Sequence, residues 1–530
     1  MFPSHPTGVQ RASRAKPPSA SPADSRCHDV AVVGAGIGGL AAAALLARQG
    51  ARVLVAEAHD RPGGSCSSWL RKVRLRDGTT GRFIFDGGVQ DFSGLGPAGG
   101  LRWLLNELGL GSRLTWHRVR HRYHLDDLAI DVPATAEDFA RKLAEMFPGE
   151  AAGLAGFFEI ISTIYKDLGD SGGPHPGTPA TAAAREQWAA RHPLSARWMQ
   201  STFAEMLDAF MTDERPKHFL TILSEYLTED AASLTVGEMA PLFGYYIDGG
   251  FYPQGGSQEL ANALAGVVTE KGGQVLLSTR VDRIDTDNVR ATGITLQNGE
   301  KHLCGHVIYN GDAGLLPDCL NTGLLPPRFR QRLGGSRRLG PSAVLVSLGL
   351  DRIPAMPARV FVTQKGFTFG IGNPSAIDPT LAPPSCAAVT LLCLLSQEDS
   401  AEWFGGDRGG YAARKEAFTE RLLAIVEDIA PGFAGSVVYR QTATPPTFAR
   451  YLNTKAGNIY GGARRQWKPH NQPVLPGLSL AGGGTLPGPG IEAVVLSGIA
   501  AANGIFAGYG EMGELAACPG SQSPQPALEP

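Results

Sequence analysis

Thirty residues near the N-terminus constrain this chain more than anything else in it. His28-Asp29 lead into Val30-Ala-Val-Val33, a short apolar run with the character of a buried strand, and Gly34-Ala-Gly-Ile-Gly-Gly-Leu40 follows at once. An Ala- and Leu-rich helical stretch then runs to Gln49, and Gly50 stops it. Arg52-Val-Leu-Val55 reads as the next strand, ending at Glu57. Strand, glycine turn, helix, strand and acid together make a dinucleotide-binding unit. Gly34 permits the tight turn out of the strand, Gly36 lets the backbone approach a pyrophosphate, and Gly38 and Gly39 allow the helix to pack closely on the strand. The helix start offers unpaired N–H groups and the positive end of its dipole to phosphates. Glu57, 23 residues beyond Gly34, is placed to accept hydrogen bonds from ribose hydroxyls.

NAD and FAD both suit that unit, and the residues downstream favour FAD. Arg61-Pro-Gly63-Gly64-Ser65 and Phe85-Asp86-Gly87-Gly88 offer bare backbone soon after the acid. A long, extended cofactor needs such a second approach, although each segment alone would pass for a surface turn. Gly63, Gly64, Ser65, Asp86, Gly87 and Gly88 therefore join the candidate cofactor residues. Near the C-terminus, Leu478-Ser-Leu-Ala-Gly482-Gly-Gly-Thr485 is a strand running into a glycine turn. Pro487-Gly-Pro-Gly490 and a helical stretch from Ile491 follow. This turn is either another phosphate site or the element that receives a flavin ring, and it adds Gly483, Gly484, Thr485, Gly490 and Ile491.

Composition agrees with this placement. Glycine supplies 68 of 530 residues, about 13 % against a usual ~7 %, and its most informative members fall in the segments just named. Charged residues are 18 %, against a usual ~25 %. That deficit fits an apolar substrate passage, and an Ala- and Gly-rich composition would lower it as well. A formal net charge of −2 leaves no electrostatic footprint for a nucleic-acid backbone. The seven cysteines have no repeated CxxC spacing and read as reduced, mostly buried thiols of an intracellular protein. Val30 to Ala47 and Leu478 to Tyr509 are nearly free of charge, but glycines divide each into a strand and a helix, so no transmembrane helix is expected. Residues 1–28 are rich in Ser, Pro, Ala and Arg and read as a disordered leader, the sharper alternative being an organellar transit peptide.

The set GAGIGGL, Glu57, RPGG and FDGG at the front, with AGGGTLPGPGIEAVVLSG at the back, resembles FAD-dependent oxidoreductases of the carotenoid desaturase and isomerase group. That group includes phytoene desaturases, prolycopene isomerases and retinol saturases, within the amine-oxidase-like flavoproteins. Phe251-Tyr-Pro-Gln-Gly255-Gly256-Ser257 and Thr444-Pro445 through Tyr460-Gly461 resemble two further segments of the group. The resemblance implies an α/β fold, with a discontinuous Rossmann-type FAD-binding domain and an interleaved α+β substrate domain. Expected are a disordered leader at 1–28, FAD-binding pieces at 29–115, 251–330 and 466–510, substrate-domain pieces at 116–250 and 331–465, and a disordered tail at 511–530. It also implies that the backbone of Val281 contacts the adenine end of FAD, and that the substrate is an apolar, carotenoid-like polyene with a quinone or O2 as electron acceptor. The expected location is cytoplasmic, peripheral at a membrane surface through monotopic contact, or plastidic if the leader is a transit peptide.

Between Gln274 and Tyr309, four apolar runs alternate with turn residues and suggest a small antiparallel meander. Aromatic stripes at 198–211 and 242–251 read first as core, with a tunnel wall as the alternative. His302, Cys304 and His306 alternate on one strand face, but edge-strand polarity explains them better than a metal does, and no metal site is expected. His117, His121 and His124, among arginines, read as a solvated hairpin. Glu492 is the one candidate catalytic residue: if protonated beside the flavin it could give a proton, whereas the plainer reading is a helix-start acid facing solvent. Four readings follow. They are a carotenoid desaturase that passes hydride to the flavin as a C=C forms, an isomerase or saturase on the same fold, a flavin amine or porphyrinogen oxidase, and a non-enzymatic prenyl-protein escort.

Overall fold

The computed structural model describes residues 26–170, 182–227, 233–334, 340–462 and 467–510. Residues 1–25 of the expected leader and all of the expected tail lie outside the described residues. The strand Cys27–Val33 runs parallel to Val53–Ala56 on one side and to Lys301–Tyr309 on the other. All four residues of Val53–Ala56 are buried, as expected for a strand covered on both faces. Gln274–Leu276 extends the sheet in parallel beyond Val53–Ala56, and Leu478–Leu480 runs beside the end of Lys301–Tyr309. The meander is therefore smaller than expected, because Gln274–Leu276 belongs to the parallel sheet. Lys301–Tyr309 is long enough to serve two partners. Its start pairs antiparallel with Ala291–Leu296, and its end joins the parallel core.

The helix Ile37–Arg48 is buried along its whole length up to Ala47. Its small side chains allow the final helix, Ile491–Gly510, to come close. A Cβ at Gly498 would collide with the carbonyl of Gly38 and would stand 2.9 Å from Ala41 Cβ. The first glycine motif and the last helix are thus one packed unit, although more than 450 residues separate them in the chain.

A second seven-stranded sheet has the order Val437–Ala443, Ser342–Leu350, Ala387–Leu395, Phe367–Gly372, Arg359–Gln364, His121–Leu125, Leu128–Asp131. It draws on two stretches far apart in sequence, joined where His121–Leu125 pairs in parallel with Arg359–Gln364. Helices Ala136–Met146, Ala151–Leu168 and Phe203–Phe210 pack beside it around an aromatic core. Phe157 and Phe158 meet edge to face at 5.5 Å, the geometry that ring quadrupoles favour. The molecule is thus an α/β fold with a discontinuous Rossmann-like region and an interleaved second region. Among the described residues no helix is long and apolar enough to cross a membrane.

Two side-chain expectations change. His302, Cys304 and His306 do share a face, but on a central strand, where all three are buried. His302 Nδ1 lies 3.2 Å from His28 Nε2, and His306 Nε2 lies 2.9 Å from Ser479 Oγ. The triplet at 117–124 is no solvated hairpin, because His121 faces inward and is bonded to a buried carboxylate. Cys66, Cys304, Cys319, Cys386 and Cys393 are free thiols, all buried except the half-buried Cys319.

Candidate active site

The glycine turn after Val33 forms because Gly34 takes φ +95°, a backbone conformation that side-chain-bearing residues rarely adopt. Glu57 locks the turn, its Oε2 accepting from Ala35 N–H and its Oε1 from His59 N–H, both at 2.7 Å. Gly36 is the N-cap of Ile37–Arg48 and supplies no side-chain cap, so the first-turn N–H groups are left for a ligand. Beneath them lies Asn310, at the end of Lys301–Tyr309. Its Nδ2 donates to Gly34 O at 3.2 Å, and its buried Oδ1 has no partner. A Cβ at Gly36 would stand 2.9 Å from Asn310 Nδ2, and one at Gly38 would stand 3.0 Å from both Gly482 N and Val494 O. Bare glycine backbone is therefore a steric requirement of this wall.

That wall bounds a single cavity of about 1140 Å³, above the ~300–1,000 Å³ typical of small-molecule pockets. Gly36, Gly38, Gly63, Gly64 and Ser65 line it, as do Gly87, Gly88, Gly483, Gly484, Gly490, Ile491 and Glu492. Its other end runs into the second region, where Leu392, Leu394, Phe448, Leu452 and Ile459 form an apolar side. Gly34 and Gly39 stand behind the wall and serve the approach of helix to strand, since a Cβ at Gly39 would lie 2.6 Å from Gly34 O. Val281 pairs with Leu296 at the far edge of the parallel sheet and does not line the cavity.

Two candidates are structural locks in this arrangement. Thr485 is buried, donates to Gly482 O at 2.7 Å and accepts from Asn471 Nδ2 at 2.8 Å, which holds the last glycine turn. Asp86 is buried and accepts from Ser68 Oγ at 2.5 Å, from Ser257 Oγ at 2.8 Å and N–H at 3.1 Å, and from Tyr252 OH. Burial pushes its carboxyl up despite those donors. The Phe85–Gly88 and Tyr252–Ser257 segments, singled out separately in the sequence, are thereby joined at one carboxylate.

Glu492 is not turned to solvent. Its Oε2 accepts from Ser93 Oγ and its Oε1 from Gly100 N–H, both at 3.1 Å. It thereby caps the start of the helix Gly100–Glu107, whose own N-cap, Gly99, offers no side chain. Burial raises its pKa above the ordinary carboxylate value; the two donors oppose that rise and the charge of Asp248 adds to it. Asp248 lies on the π-helical segment Tyr245–Gly249 and accepts from Tyr165 OH at 2.7 Å. That segment sends Tyr245 and Asp248 to the cavity and Tyr246 into the aromatic core. The 242–251 stripe is thus part wall and part core.

Sequence reasoning missed Asn310 and the polar residues of the far wall, Asp91, Tyr226 and Arg359. An Asn-Gly pair closing a strand could have marked the first. The others carry no local signal, because they meet only through tertiary packing.

Bare glycines, an uncapped helix start and an orphaned Asn310 oxygen, beside an apolar lining in the same cavity, make a wall suited to a dinucleotide with room for an apolar ligand. The chain belongs to the flavin-containing amine oxidoreductase family, whose model matches residues 37–506. Prolycopene isomerase 1 of an Oncidium hybrid cultivar is 26 % identical over 514 residues, covering 91 % of this chain and 84 % of that protein. The human all-trans-retinol 13,14-reductase is 26 % identical over 490 residues (82 % and 77 %). The lycopene-forming phytoene desaturase of a Paracoccus species is 24 % identical over 507 residues (89 % and 96 %). Among solved structures, an oxidoreductase from Methanosarcina mazei superposes with a TM-score of 0.62 at 19 % identity, covering 89 % of this chain and 99 % of that one. The chain is therefore an FAD-dependent oxidoreductase by family.

Proposed function

We propose that this enzyme is a desaturase of a long, largely apolar polyene. The observation that carries the reading is the continuity of one cavity from the glycine-lined wall to the apolar side formed by Leu392, Leu394, Phe448, Leu452 and Ile459. The names of the three relatives, which span isomerisation, reduction and desaturation of polyenes, support the substrate class. FAD would be held by Gly36, Gly38, Gly63, Gly64, Gly87, Gly88, Gly483, Gly484, Gly490 and Ile491, and would supply two-electron redox chemistry, with a quinone or O2 as the final acceptor. Glu57 keeps its turn rigid, and although it does not line the cavity its remaining lone pairs would be left to accept from the ribose hydroxyls of FAD. The apolar residues align the chain of the substrate and exclude water. Glu492, whose pKa burial raises, would in its ionised form take up at the cavity wall the proton that leaves the substrate as hydride passes to the flavin.

Expression in bacterial strains that accumulate phytoene, poly-cis-lycopene or lycopene, and in one fed all-trans-retinol, followed by pigment chromatography, tests the proposal. More conjugated products support desaturation. A change of geometry alone would make the enzyme an isomerase, and a shortened chromophore a reductase. Unchanged pigments in all four strains overturn the polyene reading. A second reading rests on Asp248 at the cavity, whose carboxylate suits a cationic amine. Peroxide release from an amine panel would establish it.

A further inference from the structure

The loop 93–100 reads Ser-Gly-Leu-Gly-Pro-Ala-Gly-Gly and belongs to none of the glycine motifs assigned to the cofactor. Ser93, Pro97, Ala98, Gly99 and Gly100 line the cavity. Bare backbone is required here because two carboxylates press on the loop. A Cβ at Gly94 would stand 2.5 Å from Glu492 Cδ and 2.7 Å from its Oε1, and a Cβ at Gly96 would run into Asp248 Oδ2 and Cγ. Glu492 comes from the last helix and Asp248 from the π-helical segment Tyr245–Gly249, yet they rest on positions of one loop only two residues apart. Each has its own donors. Ser93 Oγ and Gly100 N–H serve Glu492, whereas Tyr165 OH serves Asp248. Tyr165 also feels the charge of both carboxylates, and Tyr245 meets Ser93 and feels the charge of Glu492. Lys166, next to Tyr165, lines the same cavity but is exposed. Among the described residues no cation adjoins Glu492: the groups that act on its proton are Gly100 N–H, Ser93 Oγ and the charge of Asp248.

A base that takes a proton from a C–H bond works better the more strongly it holds that proton. Hydrogen-bond donors stabilise the ionised carboxylate and weaken it as a base, whereas a like charge nearby strengthens it. Ser93 and Gly100 therefore place Glu492 at a cost in basicity, and Asp248 works in the opposite direction. Tyr165 fixes the Asp248 carboxylate against the loop.

We propose that Asp248 is a positioning residue for Glu492: held against the loop by Tyr165, its negative charge makes Glu492 the stronger acceptor for the proton that leaves the substrate. In that step one C–H of the substrate is lost as hydride to FAD, the adjacent C–H loses its proton to Glu492, and the electron pair left behind becomes the new C=C. The proposal rests on the desaturase reading above and deepens it by naming what strengthens the base.

Infrared difference spectra of the FAD-loaded protein across pH give the titration of the protonated Glu492 carbonyl, identified as the band that Glu492→Gln abolishes. Asp248→Asn, in which Tyr165 can still donate to the amide oxygen, should move that midpoint down by about one pH unit, the scale of one neighbouring charge. Ser93→Ala removes a donor and should move it up. A mere loosening of the loop would move both variants in the same direction. If Asp248→Asn fails to fold, Gly96→Ala decides, because its methyl group pushes the Asp248 carboxylate off the loop without altering the charge and should also lower the midpoint. An unmoved midpoint on changing Asp248, or shifts of one sign in Asp248→Asn and Ser93→Ala, overturns the proposal. The infrared measurement needs no substrate, so its outcome is separate from that of the desaturase reading. That reading is tested by the pH profile of kcat on the polyene that is turned over. A limb that follows the infrared midpoint in the wild type and both variants supports it, whereas a profile that ignores the infrared shifts removes Glu492 from the proton step.

Discussion

Glu492 holds two positions at once, as a cap for another helix and as a cavity-wall acid. Its raised pKa means that the protonated form persists to higher pH than in an ordinary glutamate. If its carboxylate takes up the proton that leaves the substrate in desaturation, kcat rises as pH climbs through that raised pKa. Glu492→Gln should then lower kcat by roughly 10²-fold or more with KM little changed. The glutamine can still accept from Gly100 N–H, so the cap survives in part. Unchanged turnover would remove Glu492 from the chemistry. Asn310 allows a cleaner separation of binding from catalysis. Asn310→Ala deletes one hydrogen bond to Gly34 O, worth about 1 kcal/mol. It should weaken FAD binding several-fold in a flavin-quenching titration, with a small change in the melting temperature of the FAD-free protein. Sequence alone could propose Glu492, because the residue stands at the start of a helix after a glycine turn. It could not show that Ser93 and Gly100, some 400 positions earlier, donate to it.

At the scale of elements, the cofactor wall depends on how closely Ile37–Arg48 and Ile491–Gly510 approach. Gly498→Val inserts a side chain where only backbone fits, beside Gly38 O, Ala41 Cβ at 2.9 Å and Ala42 N at 3.1 Å. Overpacking of this kind costs about 1–3 kcal/mol, and here it also shifts the helix start proposed to face the phosphates of FAD. A lowered melting temperature together with weakened FAD binding is expected. Gly504→Ala on the same helix meets only the Gln472 side chain and should be milder in both measurements. The strand-turn-helix unit was legible because its hydrogen bonds and turn chemistry are local. The parallel placement of Gln274–Leu276 was not, because a short apolar run next to an antiparallel meander fits either partner equally well by pattern.

At the scale of the whole molecule, the proposed FAD site would bridge walls drawn from the beginning and the end of the chain. Ligation should therefore stabilise the entire fold, by about 2.7 kcal/mol at a 100-fold excess over Kd. Calorimetry with and without FAD should show one transition moving upward together, not one region alone. Acid should act on the parallel sheet. Burial lowers His28 to about 4, with the charges of His302 and Arg52 assisting and Asp29 opposing; burial and Arg290 lower His306 to about 3. Both stay neutral in the folded sheet while the unfolded chain takes up protons near 6.5. Stability is therefore full above that value and falls as pH drops toward 4 and then 3. Urea midpoints should decline across this window, and His306→Gln should flatten the decline relative to the wild type.

The sequence by itself determined that a dinucleotide is bound near the N-terminus, and its resemblance to a known family implied FAD and the discontinuous α/β plan. Glycine turns, helix starts and the acid after the second strand are local devices whose spacing states their purpose. The charge deficit was open to an apolar passage or to an Ala- and Gly-rich composition, and the sequence could not say whether a given aromatic is core or wall. Only the tertiary structure decided that Asp86 and Thr485 are locks and that Asp91, Tyr226 and Arg359 share a corner. It also placed Glu492 across the N-terminus of a distant helix. The physical reason is one of range. A turn or a helix cap is fixed by neighbours a few residues away, whereas a buried polar cluster is held by packing that brings together residues hundreds of positions apart.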